Sequence, residues 1–372
     1  MIEIDGSLRS GSGVIVRQAV AYAALTGQPV RVRNARARRR HPGLRAQHVR
    51  AIQAIADLVG GTLEGAEVGS GSFAFRPGDA EPGGRYEWDI GTAGSATMLA
   101  LAVLPVMAMR GRGAEAQIRG GLFQDFAPSV FHLQRIIVPL IAQMGITAEL
   151  DIIRPGYVPA GEGGIRLAVL PTCRPLRPLT PARGEAAPRI SGISLASHLD
   201  DRRVAERMAD AARAALQSAD IAGAIDIAVI RDHTAAQPGA AFALFAEFTG
   251  GARLGADRAG APHRRAEQIG ARVAHELLED IASGATVDRH ARDQIIPFAA
   301  LAEGTSTFQV PLLTEHAETA GWLASAFLGA EVSTGQQTLA VRGQSAQHRT
   351  GRGSAGRSPA ASRDAGRPAS AG

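Results

Sequence analysis

The chain contains no lysine: all 40 of its Lys-plus-Arg positions are arginine. That absence removes several mechanisms at once. There is no phosphate loop of the Gly-Lys-Ser/Thr type, no lysine-adenylate and no Schiff-base lysine. A nucleotide carried covalently would need another nucleophile. Cysteine is nearly absent too, Cys173 being the single one in 372 residues. An internal disulfide and a multi-cysteine metal centre are therefore excluded, no disulfide-linked partner is expected, and a reducing, cytoplasmic setting fits. Aromatics make up 4% of the chain against 45% hydrophobic residues, so Ala, Val, Leu and Ile must fill the core. No apolar run reaches the length of a membrane span. The opening Met1-Ile2-Glu3-Ile4-Asp5 has no basic stretch followed by an apolar run, so no secretory signal is expected. The net charge of +5 suits a polyanionic partner.

What is present is a recurring unit: an amphipathic helix ending at glycine, then two strands. Val49, Ile52, Ile55, Ala56 and Val59 fall at helical spacing before Gly60-Gly61, and Thr62–Glu64 and Ser72–Phe75 follow as strands. The pattern returns with Val130, Leu133, Ile137, Leu140 and Met144 before Gly145, then strands at Ile146–Leu150 and Ile165–Leu170. It returns again with Ala317, Ala320, Leu323 and Phe327 before Gly329, then strands at Ala330–Val332 and Thr338–Val341. One such unit cannot bury its apolar face alone, so the copies must pack together. The expected class is α/β (α+β), with helices on one face of each sheet in a pseudosymmetric core. The Pro- and Arg-rich stretch 171–188 interrupts the rhythm. Residues 176–266 read as a smaller inserted α/β domain, with 1–175 and 267–343 forming the core. The segment 344–372, rich in Ser, Gly, Ala, Pro and Arg, reads as a disordered tail.

Four segments carry candidate chemistry. Asp5-Gly6-Ser7-Leu8-Arg9-Ser10-Gly11-Ser12-Gly13 leads into a helix and can offer backbone N–H groups to phosphate, or can be a plain turn. The run from Arg33 to His48 packs guanidinium groups ahead of Pro42-Gly43. It can grip phosphates bidentately, or can be a solvated basic loop. Asp293 and Gln294, in Val287 to Ile296, precede an apolar helix and by pattern alone form a polar helix face. His316, in Leu313-Thr314-Glu315-His316, stands near a helix start. Positive helix-end potential keeps such a ring neutral and able to attack phosphorus, and a capping or surface histidine has the same pattern.

Taken in order, these segments resemble the RNA 3'-terminal phosphate cyclase family. The likeness also runs through Leu63 to Ser70, Thr92-Ala93-Gly94-Ser95, Gly120-Gly121, Ala127-Pro128 and Arg154 to Gly164. The resemblance implies repeated helix-on-sheet units with a small inserted domain. It implies a cytoplasmic ligase acting in RNA processing, with ATP, a divalent ion such as Mg²⁺ and RNA bearing a 3'-phosphate end. The reaction it implies has three steps: a histidine takes AMP from ATP, AMP passes to the RNA 3'-phosphate, and the neighbouring 2'-OH closes a 2',3'-cyclic phosphate. Carried over, His316 is the adenylylated residue. His290, Ala291, Arg292, Asp293 and Gln294 hold ATP. Arg17, Arg36, Arg39 and Gln47 stand near the phosphates.

The chain departs from the family pattern in places. Ser10 stands where a metal-side glutamate is expected. Val14 and Leu101 stand for glutamines, the latter one that contacts ATP. Leu122 replaces a threonine, and Glu162 adds an acid to the Pro159–Gly164 turn. These departures keep open a second reading, an RNA-binding member of weak or no cyclase activity. An enolpyruvyl transferase, built of comparable units, relies on lysine at its substrate site and is disfavoured here.

Overall fold

The computed structural model describes residues 1–172, 175–219 and 224–344. The tail beyond residue 344 and Cys173 lie outside these residues. The first unit comprises β1 (Ile2–Asp5), α1 (Gly13–Thr26), β2 (Val30–Arg33), α2 (Ala46–Val59), β3 (Thr62–Glu64) and β4 (Phe73–Arg76). Its sheet has the order β1-β2-β4-β3, with β1 parallel to β2 and the other pairs antiparallel. The second unit repeats it. It comprises β5 (Gly84–Asp89), α3 (Ala96–Arg110), β6 (Ala114–Gly120), α4 (Val130–His132), a π-helical turn (Leu133–Ile137), α5 (Val138–Gln143), β7 (Ala148–Arg154) and β8 (Gly163–Val169). Its order is β5-β6-β8-β7 with the same pairing senses.

A smaller sheet follows. It is built from β9 (Arg189–Ser197), β10 (Ile225–Asp232), β11 (Gly239–Glu247) and β12 (Arg253–Ala259), in the order β10-β9-β11-β12, and is covered by α6 (Val204–Ser218) and α7 (Ala266–Ala282). The third unit, the last among the described residues, comprises α8 (Arg292–Leu301), β13 (Gly304–Gln309), α9 (Glu315–Leu328), β14 (Glu331–Thr334) and β15 (Thr338–Gly343), in the order β13-β15-β14. Its first strand is reduced to Thr286-Val287, whose two N–H groups donate to the Gln309 carbonyl at 2.9 and 3.1 Å.

The repeat is therefore larger than the helix–strand–strand pattern in the sequence, because a strand, helix and strand precede it in each copy. The first of those helices is hidden from periodicity in the second unit. Every residue of α3 from Ala96 to Met109 is buried, so α3 has no polar face to alternate with. The strand expected at Ile146 starts at Ala148 instead, since the Ile146 N–H still donates to Ile141 O at 3.2 Å and belongs to the helix end.

One apolar cluster joins α1, α2, α3, α8 and α9, so the helices of the three units share a core, while β1 and β2 mix buried with partly open residues and β6 keeps Arg119 open. A second cluster joins Met208, Ala212 and Leu216 of α6 to Ile269, Val273 and Leu277 of α7, over Phe242 and Leu244. Gly270 permits this approach: a Cβ there would stand 2.0 Å from the Met208 carbonyl. Thus α7, attached to the core by the sequence reading, packs with the smaller body. We propose that the insertion ends near Ala285, the last residue of that cluster, rather than at residue 266. No helix among the described residues is long and apolar enough to cross a membrane.

Candidate active site

Several helix starts meet at one place. At the start of α1, the Ser12 hydroxyl accepts the Val14 N–H at 3.4 Å. Gly13 is required there by contact, because a Cβ would lie 2.4 Å from His48 Nε2 and 3.0 Å from an Arg17 guanidinium nitrogen. Arg17 is closely surrounded and makes no hydrogen bond or ion pair among the described residues, yet it opens on a cleft with Leu101, Tyr22 and Gln294. Burial pulls its pKa down to about 10, Asp293 works the other way, and Arg36 adds repulsion. A desolvated guanidinium with open donors favours an anion.

The arginine loop divides its labour. Arg36 donates to the carbonyls of His41 (3.0 Å) and Gly43 (2.6 Å), so this guanidinium braces its own loop. Exposed Arg39 instead reaches the third unit, placing Nη2 3.1 Å from His316 Nε2. A guanidinium can only donate, so Nε2 is the acceptor and the neutral ring carries its proton on Nδ1. Burial first, then Arg39, Arg17 and Arg292, lower the His316 pKa against the pull of Asp293. The ring is thus held neutral, with its Nε2 lone pair facing a cation.

His316 is the second residue of α9, which is capped by the Thr314 hydroxyl on Ala317 N–H at 3.4 Å. One turn on, Thr319 Oγ1 accepts the Ser10 N–H at 3.1 Å and lies 3.0 Å from Ser10 Oγ, itself 3.0 Å from Ser12 Oγ. Ser10 therefore ties the first loop to the His316 helix.

The α8 segment supplies the remaining wall. Asp293 is buried, and burial raises its pKa against the charges of Arg292, His316 and Arg17. The Gln294 amide donates to its carboxylate. Arg292 donates to the Leu312 carbonyl just before α9. His290 and Ala291 give their backbone N–H groups to Asp288 Oδ1, each at 2.8 Å. Gln47 accepts the Ser95 N–H at 2.8 Å and so holds the start of α3.

The structure thus gathers His316, Arg39, Arg17, Asp293, Gln294 and Leu101. It turns Arg36 and Arg292 toward backbone carbonyls, Gln47 toward Ser95, and His290 and Ala291 toward Asp288. The sequence reading missed three residues. His48 is buried beside Arg17, with its pKa pushed down to about 2 by burial and by Arg17, Arg36 and Arg45. Asp288 and His132 form a fully buried pair at 3.1 Å. Only Asp288 left a signal, an aspartate four residues ahead of a helix start.

The architecture and this constellation can be set beside known proteins. A model of the RNA 3'-terminal phosphate cyclase family matches residues 8–334. The chain belongs to that family. The RNA 3'-terminal phosphate cyclase of Nitrosospira multiformis is 39% identical over 92% of this chain and 96% of its own. That of Methanopyrus kandleri is 38% identical over 89% and 94%. Among solved structures, the enolpyruvyl transferase NikO from Streptomyces tendae aligns with 93% of this chain and 49% of its own, at 13% identity and a TM-score of 0.35.

The residues suit the family's expected nucleotide and limit how a divalent ion could be held. Arg17 and Arg39 suit a nucleoside triphosphate. For a divalent ion, no three His, Cys, Asp or Glu side chains converge among the described residues, and Ser10 spends its hydroxyl on Thr319 and Ser12. A magnesium ion would therefore be held chiefly by the phosphates of ATP rather than by a cage of side chains.

Proposed function

We propose that the protein converts an RNA 3'-terminal phosphate to a 2',3'-cyclic phosphate using ATP, with His316 as the covalent carrier of AMP. As a member of its family it is an enzyme of the RNA 3'-terminal phosphate cyclase type, a ligase. The observation carrying the mechanism is the Arg39–His316 contact at 3.1 Å. It supports Nε2 as an unprotonated nucleophile and puts a cation where an α-phosphate would arrive. His316 Nε2 attacks the α-phosphorus of ATP and pyrophosphate leaves. Arg39 and Arg17 stabilise the developing charge. An oxygen of the RNA 3'-phosphate next takes AMP from His316, restoring the imidazole. The vicinal 2'-OH then attacks the activated phosphorus, and AMP departs as a good leaving group. The Asp293 carboxylate pulls the His316 pKa upward, and the same attraction would favour the cationic phosphoramidate form of His316.

The test is incubation with α-labelled ATP and Mg²⁺, with His316→Ala alongside. Acid-labile, base-stable label on wild type alone is expected. Equal label on both would remove His316 from the role. Ser10, in place of the expected glutamate, favours the second reading, an RNA-binding member without full activity. Folded protein that binds 3'-phosphate RNA but takes no label would establish that reading instead.

A further inference from the structure

The loop between β6 and α4 carries an exposed ring beside a cleft of arginines. Phe126 is fully exposed and has a φ of +69°, a backbone region that costs an aromatic residue energy and is kept only where the surroundings impose it. The surroundings do so here. Its neighbour Asp125 is held in a two-pronged pair by Arg264 at 3.1 and 2.9 Å. Ser129, closing the same loop, donates its N–H to Asp257 of β12 at 2.8 Å. Two contacts, one from β12 and one from the segment between β12 and α7, therefore clamp the loop and leave the ring in solvent.

The cleft next to this clamp is lined by Arg258, His263, Arg264, Gln268 and Arg272. Arg264 is neutralised by Asp125, and Arg272 pairs with Glu276 at 2.9 Å. Arg258 has no ion pair among the described residues, and its charge reaches Asp125 without a hydrogen bond. The wall is net positive, with one cation open. At its other end the loop begins at Gly121, whose N–H donates to Gly94 O at 2.7 Å beside the Ser95 that Gln47 holds. The loop thus runs from the smaller body's cleft to the Gly94-Ser95 turn at the start of α3.

We propose that this cleft is a second RNA-binding site, which takes single-stranded RNA upstream of the reacting end. Arg258 and its neighbours hold backbone phosphates, and Phe126 stacks a base. An open aromatic ring next to a basic groove is the chemistry of sequence-tolerant single-strand binding. The inference rests on the cyclase reading for the identity of the RNA, and it extends that reading by making affinity depend on nucleotides that do not react.

The test uses the full chain and the variants Phe126→Ala and Arg258→Glu. Substrates are a dinucleotide and an RNA of about ten nucleotides, both with 3'-phosphates; each variant is expected to raise KM for the longer RNA about tenfold. KM for the dinucleotide and covalent labelling by ATP should not change, and Arg258→Glu should lower the steepness of the salt dependence by roughly one charge. Equal effects on both RNAs, or none on either, would overturn the proposal. If wild type takes no label from ATP, the cyclase reading has failed on its own account. Fluorescence anisotropy of the same two RNAs then decides the cleft: a loss confined to the longer RNA supports it, and unchanged binding sinks it.

Discussion

Two histidines occupy the same place in two copies of the repeat and have opposite chemistry. His48 is the third residue of α2 and His132 the third of α4, each in the second helix of its unit, and both are buried. His48 sits among Arg17, Arg36 and Arg45, with Nδ1 accepting the Arg45 N–H at 3.2 Å, and it stays neutral. For His132, burial also disfavours the charge, yet the facing Asp288 carboxylate outweighs it and raises the pKa. Asp288 is likewise burdened by burial, but His132 and two backbone N–H groups bring it down to about 2. The repeat supplies a position and the neighbours decide its ionisation. On the side crowded with cations a neutral ring adds no further charge. On the other side an ion pair takes Gly255 N–H at 3.0 Å and so fastens the smaller sheet to the start of α8.

The comparison can be broken most severely at Asp288. Asp288→Ala would leave His132 without its counter-charge in a dry interior and should cost about 3–5 kcal/mol, read from urea unfolding. Asp288→Asn, which can still accept hydrogen bonds, should cost less. Equal costs would mean that the lost charge, which both variants share, is the whole effect and that the hydrogen bonds add nothing to it. The pH dependence sharpens the contrast. His48 has a folded pKa near 2 against an ordinary value of about 6.5. Its stabilising share is complete above about pH 6.5 and fades as acid protonates the unfolded chain first, at most ~1.4 kcal/mol per pH unit. His132, raised, acts in the opposite sense: its share is complete below the unfolded pKa and is lost as pH climbs through the folded one. His48→Asn should therefore flatten the acid limb of a stability profile, and His132→Asn the limb at higher pH. Identical profiles for the two variants would refute the contrast.

The smallest expected effect is on His316 itself. Arg39→Ala removes a cation that lowers the ring's pKa, so the acid limb of self-labelling should move to higher pH. Asp293→Asn removes the group that raises it, so that limb should move lower. Shifts in the same direction for both variants would sink the electrostatic account.

Periodic apolar stripes made α2, α9 and the helix from Val130 legible in the sequence, and glycine stops marked their ends. The all-buried α3 gave no stripe, and β13 gave no alternation long enough to notice. The segments around Arg39, Asp293 and His316 were legible as motifs because their residue types are chemically loud and their order matches a family. Their division of labour was not. Whether Arg36 or Arg39 faces His316 depends on how a loop closes, and no local spacing encodes that. The His132–Asp288 pair joins residues 156 positions apart, a contact that only the tertiary fold creates.

The shortened first strand of the third unit changes what an insertion means here. Thr286-Val287 bonds to Gln309 on one side and to Arg253 of β12 on the other, so it stitches the smaller sheet to the sheet of the third unit. An engineer who excised the smaller body and rejoined the ends would cut through a shared seam. The excision would bare an edge of β12's partner segment, inviting strand pairing between molecules, and the trimmed enzyme should come out of the cell as aggregate.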